Sequence, residues 1–296
     1  MNVFEDKKFT LAELKDALEN NFGYSIGPGG STETSDKAVA GGCSGNSINE
    51  ADMEARIYEA VRSILSGSGS VSIADVRNKL SSYSNGGNGK NTGNTAKYAE
   101  IQSALENTQG YGNDIDEIDQ YAAICARIYC EIVETYRNPR GGQFQAGIYP
   151  VSANVLYGKD VGALPTGRPA KLPLGDGVSP RAGKDTNGPT AAANSVSKLD
   201  HALASNGTLY NQKFLPAALA GDKGLKNFAA LIRGYFERKG MHIQFNVVDR
   251  EVLLDAQDNP DKHKDLVVRV AGYSAHFTKL ARETQDNIIA RTEQTF

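Results

Sequence analysis

The sequence predicts an α/β fold. Segments with strand alternation, 242–248 and 266–270, are interleaved with segments of helical period at 224–240, 252–256 and 284–292. At 296 residues the chain is long enough to bury a sizeable core and carries a prior of about two domains. Its 31 glycines exceed the usual share of ~7%, so many positions ask for backbone that other residues avoid. Lys+Arg number 32 against 35 Asp+Glu, a net charge of −3 with no basic block, which argues against a nucleic-acid partner. No apolar run nears the ~18 residues of a membrane span, and Met1-Asn-Val-Phe-Glu-Asp-Lys-Lys lacks the apolar core of a signal peptide. Three cysteines make no disulfide framework, so the expected place is a reducing cytoplasm, away from membranes.

In chain order, residues 1–24 read as a strand edge and a helix, with Thr10 and Glu13 as a capping box and Leu11, Leu14, Ala17 and Leu18 on one apolar face. Residues 25–110 change texture. Turn-former tracts at 27–30, 41–45 and 84–94 separate two short helical patterns, Ile57/Val61/Ile64/Leu65 and Ser72/Asp75/Val76/Leu80, which suggests a flexible helical insertion. From Ile115 through Ile118, Ala122, Cys125, Ile128 and Ile132 to Tyr136 the helical period holds until Asn138-Pro139. Residues 141–189 are punctuated by Gly and Pro without being repetitive, with a strand-like piece at 144–152; such stretches in a compact domain are usually functional. Leu225, Phe228, Ile232 and Tyr235 form the inward face of the 224–240 helix, and Gly240 stops it.

Familiar chemistry is missing. His201, His242, His263 and His276 have no Cys or carboxylate at metal-ligand spacing, so no metal is expected, and neither a Gly-x-Ser-x-Gly elbow nor a Walker loop is present. Cys125 and Cys130 share no helix face and read as buried structural thiols; Cys43 in its Gly/Ser arm reads as exposed.

One segment stands apart, Arg269-Val270-Ala271-Gly272-Tyr273. On pattern alone it is a strand ending in a tight turn. It resembles the radical-bearing signature of the glycyl radical enzymes, and the resemblance continues in order through Tyr149-Pro-Val-Ser-Ala153, Gly162-Ala-Leu-Pro-Thr-Gly-Arg168, Pro173-Leu-Gly-Asp-Gly-Val-Ser-Pro180, Gly183-Lys-Asp-Thr-Asn-Gly-Pro-Thr190, Ser195-Val-Ser-Lys198, Ser205-Asn-Gly-Thr-Leu-Tyr-Asn-Gln-Lys-Phe214 and Ile288-Ile-Ala-Arg-Thr-Glu293. It covers about 111–296 and the first twenty or so residues.

The resemblance implies the C-terminal part of a ten-stranded barrel with a buried glycyl-radical loop. It divides the chain into a barrel piece at 1–24, the insertion at 25–110, the end of the barrel domain at 111–174 and a glycine radical domain at 175–296. Gly272 would hold the radical as a protein-based cofactor, with no metal or organic cofactor bound. Glycine suits this, because a Cβ would crowd the flattened carbon that amide donation and carbonyl withdrawal stabilise. Val270, Ala271 and Phe277 would give the loop a dry pocket, and Arg269 and Tyr273 would anchor it through hydrogen bonds to its backbone. Gln145, Tyr149 and Ser152 would line the substrate, with barrel-wall packing the plain alternative.

The implied partners are a separate radical S-adenosylmethionine activating enzyme, a small-molecule substrate and a second copy of the full enzyme as a homodimer. The family's thiyl-forming Cys-x-Glu loop is absent: Cys43-Ser-Gly, Cys125-Ala-Arg and Cys130-Glu-Ile do not fit. The wording is most similar to hydroxyproline and glycerol dehydratases, which implies elimination of water from a hydroxylated small molecule. The alternatives are a formate acetyltransferase or aryl-acid decarboxylase of the same family, and a stand-alone radical subunit without catalysis of its own. The opening residues begin mid-pattern for the family, as an incomplete reading of a longer gene would.

Overall fold

The computed structural model describes residues 11–20 and 95–296. The capping residue Thr10, the two helical patterns at 57–65 and 72–80, Cys43 and the turn-former tracts lie outside the described residues. The chain forms two units: Met1–Asn107 with Glu134–Phe144 and Gly162–Ala170, and Thr108–Val133 with Gln145–Val161 and Lys171–Phe296.

In the first unit, α1 (Leu11–Glu19) and α2 (Thr95–Glu106) bury Leu14 and Ala17 against Tyr98, Ile101 and Leu105, and Tyr98 Oη donates to Asp16 Oδ2 at 2.9 Å. Helix α2 is not anticipated by the sequence reading; three large apolar residues in a polar run give a weak period. Its Gln102 Nε2 donates to the carbonyl of Gly167, and buried Arg168 ties its own turn by donating from Nη1 to Gly162 O and Pro169 O, both at 2.9 Å.

The second unit carries α3 (Asp116–Glu134), whose last residue falls in the first unit, then β1 (Gly147–Ile148), α4 (Ala153–Gly158), α5 (Gly188–Ser197), β2 (Gly207–Thr208), β3 (Asn211–Phe214), α6 (Gly221–Glu237), β4 (Gln244–Val247), α7 (Arg250–Asp258), β5 (Val267–Arg269), β6 (Ser274–His276), α8 (Arg282–Ala290) and β7 (Glu293–Gln294). Asp116, Glu117 and Asp119 in the first turn of α3 complement the positive end of its dipole. The α/β expectation holds. β3 lies at the centre of a three-stranded parallel sheet in the order β4-β3-β7, and α6 makes the crossover from β3 to β4. β1 and β2 pair parallel, and β5 and β6 form an antiparallel hairpin.

Two large cores and a smaller cluster around Cys130 hold this unit among the described residues. Val178, Ala192, Ala193, Val196, Tyr210, Phe214, Leu231 and Tyr235 form one. Val248, Leu253, Ala256, Val268, Val270, Phe277, Ile288 and Ile289 form the other. The inward face of α6 differs from expectation: Leu225 is 58% exposed, while Gly224, Leu231 and Tyr235 are buried with Phe228 partly so. The buried row therefore starts at Gly224, whose missing side chain admits the backbone of Leu219: a Cβ there would meet Leu219 C at 2.6 Å. Gly240 follows the helix as expected, for a packing reason. A Cβ there would lie 2.2 Å from the Tyr235 ring, while the positive φ of +68° belongs to Lys239.

Candidate active site at the hairpin tip

Register in the hairpin pairs Val267 with His276, Val268 with Ala275 and Arg269 with Ser274. Val270 N–H then donates to the Tyr273 carbonyl at 2.9 Å, leaving Ala271 and Gly272 as the tip. Gly272 has φ +83°, the left-handed region that costs other residues about 1–2 kcal/mol. Space does not require glycine here. A Cβ at Gly272 would meet only Leu209 Cδ1, at an ordinary 3.5 Å. Gly177, also beside Leu209, is different: its Cβ would lie 2.4 Å from the Leu209 carbonyl oxygen and 3.1 Å from that of Ile148.

Val270, Ala271 and Phe277 are buried, as a dry pocket requires, but Gly272 itself is exposed in this chain. Val270 and Phe277 belong to the second core beneath the hairpin, and Ala271 and Gly272 form its short tip past the ladder. The anchors also differ from expectation. Arg269 donates from Nη2 and Nε to Gln244 Oε1 at 3.0 and 3.3 Å and from Nη1 to Ser274 Oγ at 3.1 Å, so it reaches the loop through another side chain. Tyr273 contributes its backbone carbonyl and packs against the second core.

The direct anchors come from β4 and from the turn after α8. Asn246 brackets the Arg269 peptide, accepting its N–H at Oδ1 and donating from Nδ2 to its carbonyl, both at 2.8 Å. Arg291 donates from Nη2 to Val270 O at 2.7 Å and from Nη1 to Arg269 O at 3.1 Å. Gln244 Oε1 accepts the Gly272 N–H at 3.2 Å, and its Nε2 donates to Val270 O at 3.4 Å and to Asn211 Oδ1. Asn211 Nδ2 donates to Asp176 Oδ2 at 2.6 Å, and Arg291 pairs with the same oxygen at 3.3 Å. The alternation of 242–248 marked the strand, yet its polar face is the covered one: Gln244 and Asn246 are buried while Val247 is exposed.

Burial shifts two titratable groups near these anchors, Asp185 beside Asp176 and His242 beside Arg269. Asp185 accepts from Thr292 Oγ1 and from Gln294 Nε2 at 2.6 Å. Burial pushes its pKa up to about 6 against the restraint of those bonds. His242, just before β4, is held below the ordinary histidine range by burial and by the Arg269 charge.

The proposed substrate-lining residues lie on the segment around β1. The strand expected at 144–152 contracts to Gly147–Ile148, since Pro150 lacks an N–H and Val151 turns the chain at φ +58°. Gln145 is exposed, Ser152 is half-buried before α4, and Tyr149, 41% exposed, accepts at Oη from Asn206 Nδ2 at 2.8 Å. Ile148 O accepts Leu209 N–H at 3.1 Å, and Leu209 is the residue beside Gly272, so this segment and the tip share one neighbour. Cys130 is buried with Ala146 and Ala204, but Cys125 is exposed. Five residues on an α-helix carry a side chain about 140° round the axis, so only Cys130 fits a structural thiol.

Residues 174–278 match the glycine radical family model and residues 1–158 the pyruvate formate lyase-like model. The chain is 46% identical over 200 residues to trans-4-hydroxy-L-proline dehydratase of Clostridioides difficile, covering 67% of this chain and 25% of that protein. Among solved structures it is similar to one of 1,2-propanediol dehydration in Roseburia inulinivorans, at 44% identity and a TM-score of 0.73, over 99% of this chain and 29% of that one. It is also similar to the glycerol-bound B12-independent glycerol dehydratase from Clostridium butyricum, at 51% identity and a TM-score of 0.66, over 80% of this chain and 29% of that one. The chain spans about a quarter of the length of the curated relatives it matches.

Proposed function

The chain belongs to the pyruvate formate lyase-like glycyl radical enzymes, and from that premise we propose that it is the radical-storing C-terminal portion of a dehydratase, with Gly272 as the radical carbon. The observation that carries this reading is a glycine in the left-handed region, its N–H held by Gln244 and the residues before it by Asn246 and Arg291, at a place where no packing demands glycine. Beyond the preference of that backbone, chemistry supplies a demand of its own. Loss of a hydrogen atom from Cα leaves an unpaired electron that the amide nitrogen donates to and the carbonyl withdraws from, in a geometry that a Cβ would crowd. Val270 packs into the core below the loop, Ala271 is buried beside Gly272, Arg269 fixes Gln244, and Tyr273 closes the hairpin.

In this reading 1–24 and 111–174 are parts of a ten-stranded barrel, 175–296 is the glycine radical domain, and 25–110 is an insertion into the barrel domain. The full enzyme is a homodimer activated by a radical S-adenosylmethionine enzyme. Gln145, Tyr149 and Ser152 present polar groups to a hydroxylated small molecule, a reading supported by the dehydratase relatives and by the neighbour the β1 segment shares with Gly272.

Turnover needs a thiyl radical that removes a hydrogen atom from the substrate carbon next to the leaving hydroxyl. The C–O bond then breaks, an acid supplies the proton that completes water, and the product radical takes the hydrogen atom back from sulfur. No cysteine of this chain stands in a Cys-x-Glu loop, so the thiol and acid come from outside it. Activated protein on its own will therefore release no product from glycerol, propanediol or hydroxyproline. Addition of a polypeptide bearing a Cys-x-Glu loop will give dehydration of one of them. Turnover by the purified chain alone would overturn this division of labour.

A further inference from the structure

We propose that Asp176, Asn211 and Gln244 form a hydrogen-bond relay whose last atom, the Gln244 amide oxygen, accepts the Gly272 N–H and favours the Cα radical; this rests on the assignment of Gly272 above. These three are positioning residues: they act on the radical carbon through a peptide N–H.

The direction of the relay is fixed from both ends. The Asp176 carboxylate, paired with Arg291 at 3.3 Å, accepts only, so Asn211 turns Nδ2 to it at 2.6 Å and presents Oδ1 to Gln244. Gln244 answers with Nε2, which leaves Oε1 on the opposite side. There it meets groups that can only donate, Gly272 N–H at 3.2 Å and the Arg269 Nη2 and Nε at 3.0 and 3.3 Å. A flipped Gln244 would set its NH2 against a peptide N–H and a guanidinium while turning an oxygen to Asn211 Oδ1. Asp176, Asn211 and Gln244 are all buried, so each wrong orientation leaves polar atoms unpaired away from water.

Such an acceptor matters more to the radical than to the resting glycine. When a radical S-adenosylmethionine enzyme activates Gly272, its adenosyl carbon radical takes one hydrogen atom. The glycine Cα–H bond breaks and an adenosyl C–H bond forms. The nitrogen lone pair then delocalises toward Cα, the nitrogen becomes more positive, and its N–H becomes a better donor. An oxygen already fixed in place strengthens its bond without reorganisation, so it lowers the radical state relative to the parent.

The test is Gln244→Met, which keeps length and loses the acceptor. Each 15N-labelled full chain is activated anaerobically and followed by EPR. The unaltered chain gives a glycine-centred doublet. Gln244→Met shortens its lifetime about tenfold and changes the 15N hyperfine coupling. Before activation, the Gly272 amide proton exchanges about tenfold faster in Gln244→Met, the factor of one lost hydrogen bond. If Gln244→Met loosens the whole sheet, Asp176→Asn decides instead: it frees Asn211 to turn over without altering any side chain that touches Gly272, and it shortens the lifetime likewise. A wild-type doublet whose lifetime and hyperfine coupling are unmoved by Gln244→Met, or by Asp176→Asn in that case, would overturn the relay alone. Absence of the doublet from the unaltered chain would overturn the assignment of Gly272 and the relay with it.

Discussion

Two glycines flank Leu209 and answer to different demands, which makes Gly272→Ala and Gly177→Ala a matched pair. Both have positive φ, +83° and +66°, so alanine pays about 1–2 kcal/mol of backbone strain at either place. It recovers about 0.4–1 kcal/mol by narrowing the unfolded ensemble. At Gly272 nothing else is added, because the new methyl would touch only Leu209 Cδ1 at 3.5 Å; the net loss is about 1 kcal/mol. At Gly177 the methyl would lie 2.4 Å from the Leu209 carbonyl oxygen. Backbone must shift there, at about 1–3 kcal/mol more, for a total of about 2–4 kcal/mol. Urea denaturation of the two variants and the parent, followed by circular dichroism, reads the difference directly as midpoints at constant slope. Gly272→Ala should stay close to the parent and Gly177→Ala should fall well below it. A Gly272→Ala protein as damaged as Gly177→Ala would refute the claim that glycine at 272 is there for chemistry.

Asp185 sets a second expectation. Its pKa rises from about 3.9 unfolded to about 6 folded, so below pH 4 both states are protonated, and stability is lost as pH climbs through 6. Between pH 4 and 7 the parent should lose about 2–3 kcal/mol relative to Asp185→Asn, measured as the change in the difference of urea midpoints; a constant difference would contradict it. Lys198 Nζ meets Asp114 at 2.7 Å, Asp116 at 2.6 Å and buried Asp119 at 2.8 Å, so Lys198→Met strands the Asp119 charge beside the Ser195 hydroxyl, which donates to it at 2.8 Å. About 2–4 kcal/mol of stability should go, and thermal melts that show no change would reject the pairing as a support. Burial alone would lower Lys198, but the carboxylates outweigh it and raise its pKa, so this support persists below the ordinary lysine range and fades as pH rises above about 10.

Much of the second unit was legible because its helices and strands carry strong periods: α3, β4 and β5 fall inside segments read from spacing alone, and α6, α7 and α8 overlap theirs. β3 was not. Its Asn211, Gln212 and Lys213 carry no apolar pattern, yet all are buried, each with a partner: Asn211 with Asp176, Gln212 with Pro189 O, and Lys213 Nζ with Ile289 O at 2.9 Å. Burial pulls the Lys213 pKa down to about 8. Hydrophobic patterning cannot see a strand whose interior contacts are hydrogen bonds. The same blindness hid the site's supports. Gly272 was found by its motif, whereas Gln244 and Asn246 sat on what looked like the solvent side of an alternating strand. Arg291 lies in the family-like segment 288–293 with nothing local to mark it. Leu225 and Cys125 went the other way, apolar in type but exposed, because a neighbour one turn or part-turn away took the inward position.

The most direct test of the account is the fate of Gly272 after anaerobic activation of the full chain by a matching radical S-adenosylmethionine enzyme. The account predicts a glycine-centred EPR doublet that is abolished in Gly272→Ala, and, on admission of air, cleavage at Gly272 that releases a C-terminal piece beginning near Tyr273. A doublet that persists in a folded Gly272→Ala chain would place the radical elsewhere and contradict it.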